Sequence, residues 1–214
     1  MLKLIGRTLI SPITGVDFPV AWVADHITSL VTSFQDAAYS ICYYSTLNLR
    51  LDPTISINHC SSSTNVYVIF LVGMFCFLLR ILQCIRQGMT AGTYWRAPYF
   101  LNTIKYGLGL VTLILSFVYS AASPNVFAAW CLFSAISTLW SYAWDLKMDW
   151  GFFQKGTKNR FLRDNLAYGS PIIYYVIIVA NLILRLVWVL TLSPNILNRF
   201  HVPPIVFTLI TGSL

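Results

Sequence analysis

Residues Tyr99 to Ala121 read YFLNTIKYGLGLVTLILSFVYSA, and Lys105 is the one charged residue among them. A hydrocarbon core of about 30 Å takes about 20 helical residues to cross, so an apolar run of this length with one charge reads as a transmembrane helix. The same pattern recurs on both sides. Upstream lie Val66 to Ile85 and, before it, Phe18 to Tyr44, the most polar run, which holds Asp25, His26 and Asp36. Downstream, the turn Ala122-Ser123-Pro124-Asn125 leads into Val126 to Trp144. A fifth run opens at Pro171, a favourable first-turn residue, and continues to Ser193. A sixth starts at Ile205, after Pro203-Pro204, and is still apolar at Leu214, too short to span. The expected fold is all-α: one polytopic transmembrane helical bundle over residues 1–214, with about five full spans and a truncated sixth.

Composition agrees. Hydrophobic residues make up 57% of the chain and charged residues 10%, with a mean hydropathy of +0.69. Soluble domains carry about 25% charged residues to cover their surface. The seven acids are all Asp, and fourteen bases give a net charge of +7. These bases sit singly at the ends of apolar runs or inside them, with no basic stripe and interleaved aromatics, so a nucleic-acid partner is not expected. They set topology instead. Lys3, Arg7, Arg86, Arg96, Lys147, Lys155, Lys158, Arg160 and Arg163 fall on one side of the predicted bilayer, against Arg50 and Arg199 on the other. The positive-inside rule then places the N-terminus and the connection from Asp145 to Ser170 in the cytoplasm. Within that connection Phe152, Phe153, Phe161 and Leu162 suggest a segment lying partly on the membrane face. Ser11-Pro12 interrupts the first apolar stretch before a secretory core forms. The five cysteines form no C-x-x-C pair, and four lie in or beside apolar runs, so neither a disulfide framework nor a metal site is expected.

Charges inside spans are where function is written, because each costs at least about 2.5–3.5 kcal/mol at a helix centre. Arg185 lies well inside the fifth run, Lys105 about two turns into the third with Tyr106 beside it, and Arg80 toward the cytoplasmic end of the second. Three cations on three helices would make a site for a multivalent anion, with guanidinium forks suited to phosphate oxygens. Asp25, Asp145 and Asp149 are the matching acids. The last two sit at i and i+4 on one face of a continuing helix. They neutralise buried arginines and keep an anion from binding too tightly to leave. Trp188 follows Arg185 at i+3 on nearly the same face. No Ser-His-Asp grouping, H-E-x-x-H or Gly-rich phosphate loop is present, so the chain is not expected to be an enzyme or to hold a metal or cofactor.

The segment Trp144-Asp145-Leu146-Lys147-Met148-Asp149-Trp150-Gly151 resembles the signature of the EXS-domain family of phosphate exporters and retrovirus receptors. Further stretches fall in that family's order: Trp22 to His26, Leu79 to Cys84, Asn102 to Tyr106, Phe161 to Arg163 and Ile183 to Trp188. The resemblance covers nearly the whole chain. It implies export of inorganic phosphate along a path inside the helical bundle, with Asp25, Arg80, Lys105, Tyr106, Asp145, Asp149, Arg185 and Trp188 as its contacts. One departure is Thr28, where some relatives carry Asn. Relatives also carry an N-terminal SPX domain and earlier spans, and continue the last helix with a pair of arginines, so the chain is expected to be the transport core without these parts. The family implies a plasma-membrane or Golgi location; a homodimer or a partner chain supplying the missing segments is also expected. The alternative it leaves open is a non-transporting membrane protein that retains or assembles with a partner.

Overall fold

The structure, a computed structural model, describes residues 2–50, 59–60, 63–92, 98–119, 124–154 and 169–186, with single positions at 159, 161, 162, 164, 166 and 189. Among the described residues all regular structure is helical: α1 (Leu2–Thr14), α2 (Phe18–Ser29), α3 (Val31–Arg50), α4 (Ser63–Thr90), α5 (Tyr99–Tyr119), α6 (Pro124–Trp144), a π-helical turn (Asp145–Asp149) and α7 (Pro171–Arg185). The stretches Phe70–Thr90, Tyr99–Val118 and Pro124–Asp149 are long and apolar enough to cross a membrane. The protein is an integral membrane protein built as an all-α helical bundle. The expected sixth run, from Ile205 to Leu214, lies outside the described residues. Contact density divides the chain into two units, Met1–Ser134 and Ala135–Leu214, with the boundary inside α6.

In the first unit α4 is the spine, packing against α1, α2, α3 and α5. Its inner stripe runs through Gly73, Cys76, Arg80 and Gln83, while Leu71, Phe75, Leu78 and Leu82 face outward. This is the membrane arrangement, with small and polar side chains inside and apolar ones toward lipid. Two glycines set how closely the helices approach. A Cβ at Gly109 on α5 would lie 2.7 Å from Phe77 Cε1, and one at Gly73 would lie 2.9 Å from Gln35 Nε2 on α3.

Three features of this unit differ from the sequence expectation. The first run is broken at Leu30 into α2 and α3. The Thr28 and Ser29 hydroxyls both turn back onto the Asp25 carbonyl, at 2.7 and 3.1 Å, competing with the helical N–H just where the helix ends. Pro12, read as a break, stands inside α1, which continues to Thr14. The cysteines also depart from their reading as small hydrophobes: Cys42 and Cys60 form a disulfide that ties α3 to the chain entering α4.

In the second unit, α7 has two faces. Tyr174, Ile178, Asn181 and Arg185 follow one another at helical spacing, and the first two are buried. Ile172, Val176, Val179 and Ile183 make the exposed apolar stripe opposite. The fifth run was expected to place Arg185 well within a span, yet α7 ends at Arg185. The guanidinium therefore sits in the last turn, where the helix dipole favours a cation. After the π-turn, Phe153 and Phe161 both adopt left-handed backbone angles and are joined by a Phe153 N–H to Phe161 carbonyl hydrogen bond of 2.8 Å. Their rings are exposed, but Leu162, next to Phe161 and expected with them on the membrane face, is fully buried and belongs to the core.

Candidate anion site

The candidate residues of the first unit come from three helices and meet around one ring. Arg80 on α4 is only 5% exposed. Its Nη1 donates to Gln83 Oε1 at 3.0 Å and its Nη2 to the Tyr106 hydroxyl at 3.1 Å, with Asp25 Oδ1 3.7 Å away. Tyr106 on α5 donates its own hydroxyl hydrogen to Asp25 Oδ1 on α2. The Arg80 guanidinium carbon stands 4.8 Å from the centre of the Tyr106 ring, and Lys105 Nζ stands 5.5 Å from it, so the ring's negative face serves two cations. Arg80 Nε is buried and has no hydrogen-bond partner among the described residues. An unpaired buried N–H costs about 1–3 kcal/mol.

This geometry has a direction. The Arg80 side chain is 6% exposed and the Asp25 side chain 49%, so the cluster is sealed at the guanidinium and open at the carboxylate. Two cations and one carboxylate meet here, and an anion would take up the donor that Arg80 Nε leaves open among the described residues. His26, which could have packed beside Asp25, instead lies against Trp22, its ring 4.0 Å away and its Nδ1 2.9 Å from the Trp22 carbonyl oxygen.

In the second unit Arg185 Nη2 donates to Asp145 Oδ2. Asn181 Nδ2 donates to the same oxygen at 3.1 Å, and Asn181 Oδ1 accepts from Arg185 Nε at 3.1 Å. Asp145 opens the π-turn, whose i to i−5 bond runs from the Trp150 N–H to the Asp145 carbonyl at 3.0 Å. The helix thus continues past Trp144 as expected, but with π rather than α geometry, a feature frequent at functional sites. Asp149 ends the same turn and is exposed. Trp188 lies outside the described residues.

The structure therefore brings Asp25, Arg80, Lys105 and Tyr106 together in one unit and Asp145 with Arg185 in the other. Gln83 and Asn181 were missed by sequence reasoning. Their signal was available in their spacing, since Gln83 lies at i+3 from Arg80 and Asn181 at i−4 from Arg185, where side chains on a helix meet. Cys42, His59 and Cys60 place two sulfurs and an imidazole nitrogen within 4.8 Å of one another, but both sulfurs are spent in the disulfide.

The profile of the EXS family matches residues 1–213. Phosphate transporter PHO1 homolog 4 of Arabidopsis thaliana is 34% identical over 205 residues, covering 92% of this chain and 26% of its own length. Solute carrier family 53 member 1 of Homo sapiens is 30% identical over 208 residues, covering 90% of this chain and 30% of its own. The xenotropic and polytropic retrovirus receptor 1 homolog of Xenopus laevis is 31% identical over 212 residues, covering 94% and 30%. The chain thus spans less than a third of the length of these relatives. Matched from end to end and carrying its charges inside helices at the positions that first suggested the resemblance, the chain belongs to the EXS family.

Proposed function

We propose that the protein carries inorganic phosphate outward across the membrane, with Asp25, Arg80, Lys105 and Tyr106 as the binding station of the first unit and Asp145, Asp149, Arg185 and Trp188 as the corresponding surface of the second. One observation carries this reading. Arg80 is 95% buried in a transmembrane helix, yet among the described residues its Nε–H is unused, beside a second cation and an open carboxylate. A buried charge with a spare donor suits an acceptor-rich dianion that arrives and departs. Of the relatives, the plant protein is named a phosphate transporter, which is the same chemistry. Arg185, already matched by Asp145 and Asn181, holds an anion weakly unless that ion pair opens, which favours release.

Outward movement fits the electrostatics. An inside-negative potential of 100 mV favours exit of each negative charge by about 2.3 kcal/mol. The orientation has two independent supports. The basic residues support a cytoplasmic N-terminus, and the Cys42–Cys60 disulfide supports an oxidising face opposite it. The plasma membrane and the Golgi both have such a face.

The test is efflux of radiolabelled phosphate from liposomes holding the purified protein. Arg80→Ala, Lys105→Ala and Arg185→Ala should each abolish or strongly reduce flux while inserting normally. Wild-type flux from well-inserted Arg80→Ala protein would overturn the assignment.

A further inference from the structure

Behind Arg80, away from the open carboxylate, the structure holds a second polar layer that the anion reading does not use. Gln83 is fully buried, and so are Thr8 and Ser11 of α1. Gln83 Nε2 donates to Ser11 Oγ at 2.7 Å and to the Thr8 carbonyl at 3.3 Å, while its Oε1 accepts from Arg80 Nη1 at 3.0 Å. The orientation of this amide is forced. A guanidinium offers only donors and a carbonyl only accepts, so Oε1 must face Arg80 and Nε2 must face α1.

Pro12 explains why α1 offers an acceptor at that point. In an uninterrupted helix the Thr8 carbonyl would accept the N–H of residue 12, and proline has none. The vacated oxygen is taken by the Ser11 hydroxyl, at 2.7 Å, and by Gln83. Other features of α1 agree with docking through this polar face. Leu2, Leu9 and Ile13 point outward, and Thr8 and Ser11 point in.

We propose that Gln83 is a positioning residue for the anion station: anchored on the α1 carbonyl that Pro12 leaves free, it holds the Arg80 guanidinium with Nη1 occupied and Nε directed to the anion. This inference rests on the phosphate reading of Arg80. It makes α1, which contributes no side chain to the anion cluster, a determinant of phosphate affinity. With Nη1 tied to Gln83 and Nη2 to Tyr106, the guanidinium plane is fixed before any anion binds, so little orientational freedom is lost on binding. Without Gln83, Nη1 loses its buried acceptor and the plane is free to rotate toward Asp25.

The experiment is saturation binding of radiolabelled inorganic phosphate to the purified full chain, comparing Gln83→Leu, Gln83→Glu, Ser11→Ala and Arg80→Ala, with dissociation constant and binding capacity read separately. Gln83→Leu should weaken binding by about tenfold, the scale of one charge-assisted hydrogen bond, at unchanged capacity. Ser11→Ala, which leaves the Arg80 contact in place, should weaken it in the same direction by less. A merely structural role would lower capacity and leave the affinity of the remaining sites alone. Gln83→Glu keeps an acceptor for Arg80 but adds a negative charge beside it, so Ser11→Ala is the variant that reports the α1 contact even where Gln83→Leu fails to fold. Unchanged affinity in Ser11→Ala, and in Gln83→Leu where it folds, with Arg80→Ala inactive, would overturn the positioning role alone. Full binding by Arg80→Ala, or none by the unaltered protein, would overturn the phosphate reading beneath it.

Discussion

Arg185 and Asp145, forty residues apart in sequence, are joined side chain to side chain at the end of α7 and the start of the π-turn, and Asn181 bonds to both. The three groups close a ring of hydrogen bonds in which each charge finds a partner before any anion is present. Breaking one side of such a pair costs more than the pair contributes, because the other charge is left desolvated. Asp145→Ala should therefore destabilise the protein by about 3 kcal/mol, the lower end of the range for buried pairs, because this one is partly exposed. Asp145→Asn, which keeps an acceptor for Arg185 and Asn181, should cost less than half as much. Thermal unfolding in detergent separates the two, and equal losses would show that hydrogen bonding at this site matters little.

Tyr106 serves the first cluster in two ways that substitution can separate. Its hydroxyl links Arg80 to Asp25, and its ring lies under both Arg80 and Lys105. Tyr106→Phe removes only the link, and Tyr106→Leu removes the ring as well. Each desolvated cation–π contact is worth about 1–2 kcal/mol. Tyr106→Phe should thus retain measurable phosphate efflux with weakened affinity, and Tyr106→Leu should lose it. Equal efflux from the two variants would remove the ring from the account.

Gly109 governs the approach of α5 to α4 and, through it, the register of Lys105 and Tyr106 against Arg80. A Cβ there would meet three carbons of the Phe77 ring at 2.7–3.2 Å, and a ring cannot yield as a flexible chain end does. Gly109→Ala should destabilise by about 1–3 kcal/mol, as overpacking does. Gly107, two residues earlier, has nothing within 4 Å of its Cβ position. Gly107→Ala is therefore the control that should be neutral or slightly stabilising, since it also raises helix propensity. Matching melting temperatures for the two variants would contradict this packing.

The helices and the intramembrane charges were legible in the sequence because membrane insertion penalises both loudly. An apolar run of twenty residues has few other uses, and a charge within one needs a reason. Arg80, Lys105 and Asp25 were therefore visible one by one. Their grouping around Tyr106 was not, since it depends on how three helices rotate about their axes, and no single-helix pattern fixes that. Neutral polar residues were quieter still. Gln83 and Asn181 carry no charge to draw notice, although each sits one turn from an arginine. The break at Leu30 escaped because Thr28 and Ser29 are tolerated in helices, and only their shared bond to the Asp25 carbonyl shows the competition. The end of α7 at Arg185 escaped because the sequence stays apolar beyond it.

The Cys42–Cys60 disulfide was the sequence reading's clearest miss, and it yields a prediction that bears on topology as well as stability. Cysteines flanking apolar runs look like small hydrophobes, and the residues between these two gave no pairing pattern. Their separation of 18 residues closes a loop for which the chain-entropy estimate is about 3 kcal/mol. Cys42→Ser should lower the melting temperature, and Cys60→Ser should lower it equally, because either change opens the same loop. The double variant should be no worse than either single one. Reduction in intact cells by a membrane-impermeant reagent should expose both thiols to labelling, because the bond faces away from the cytoplasm in the orientation argued from the basic residues. In protein shown by surface biotinylation to reach the plasma membrane, thiols that become available only after the membrane is permeabilised would place this loop inside and would reverse the assigned topology.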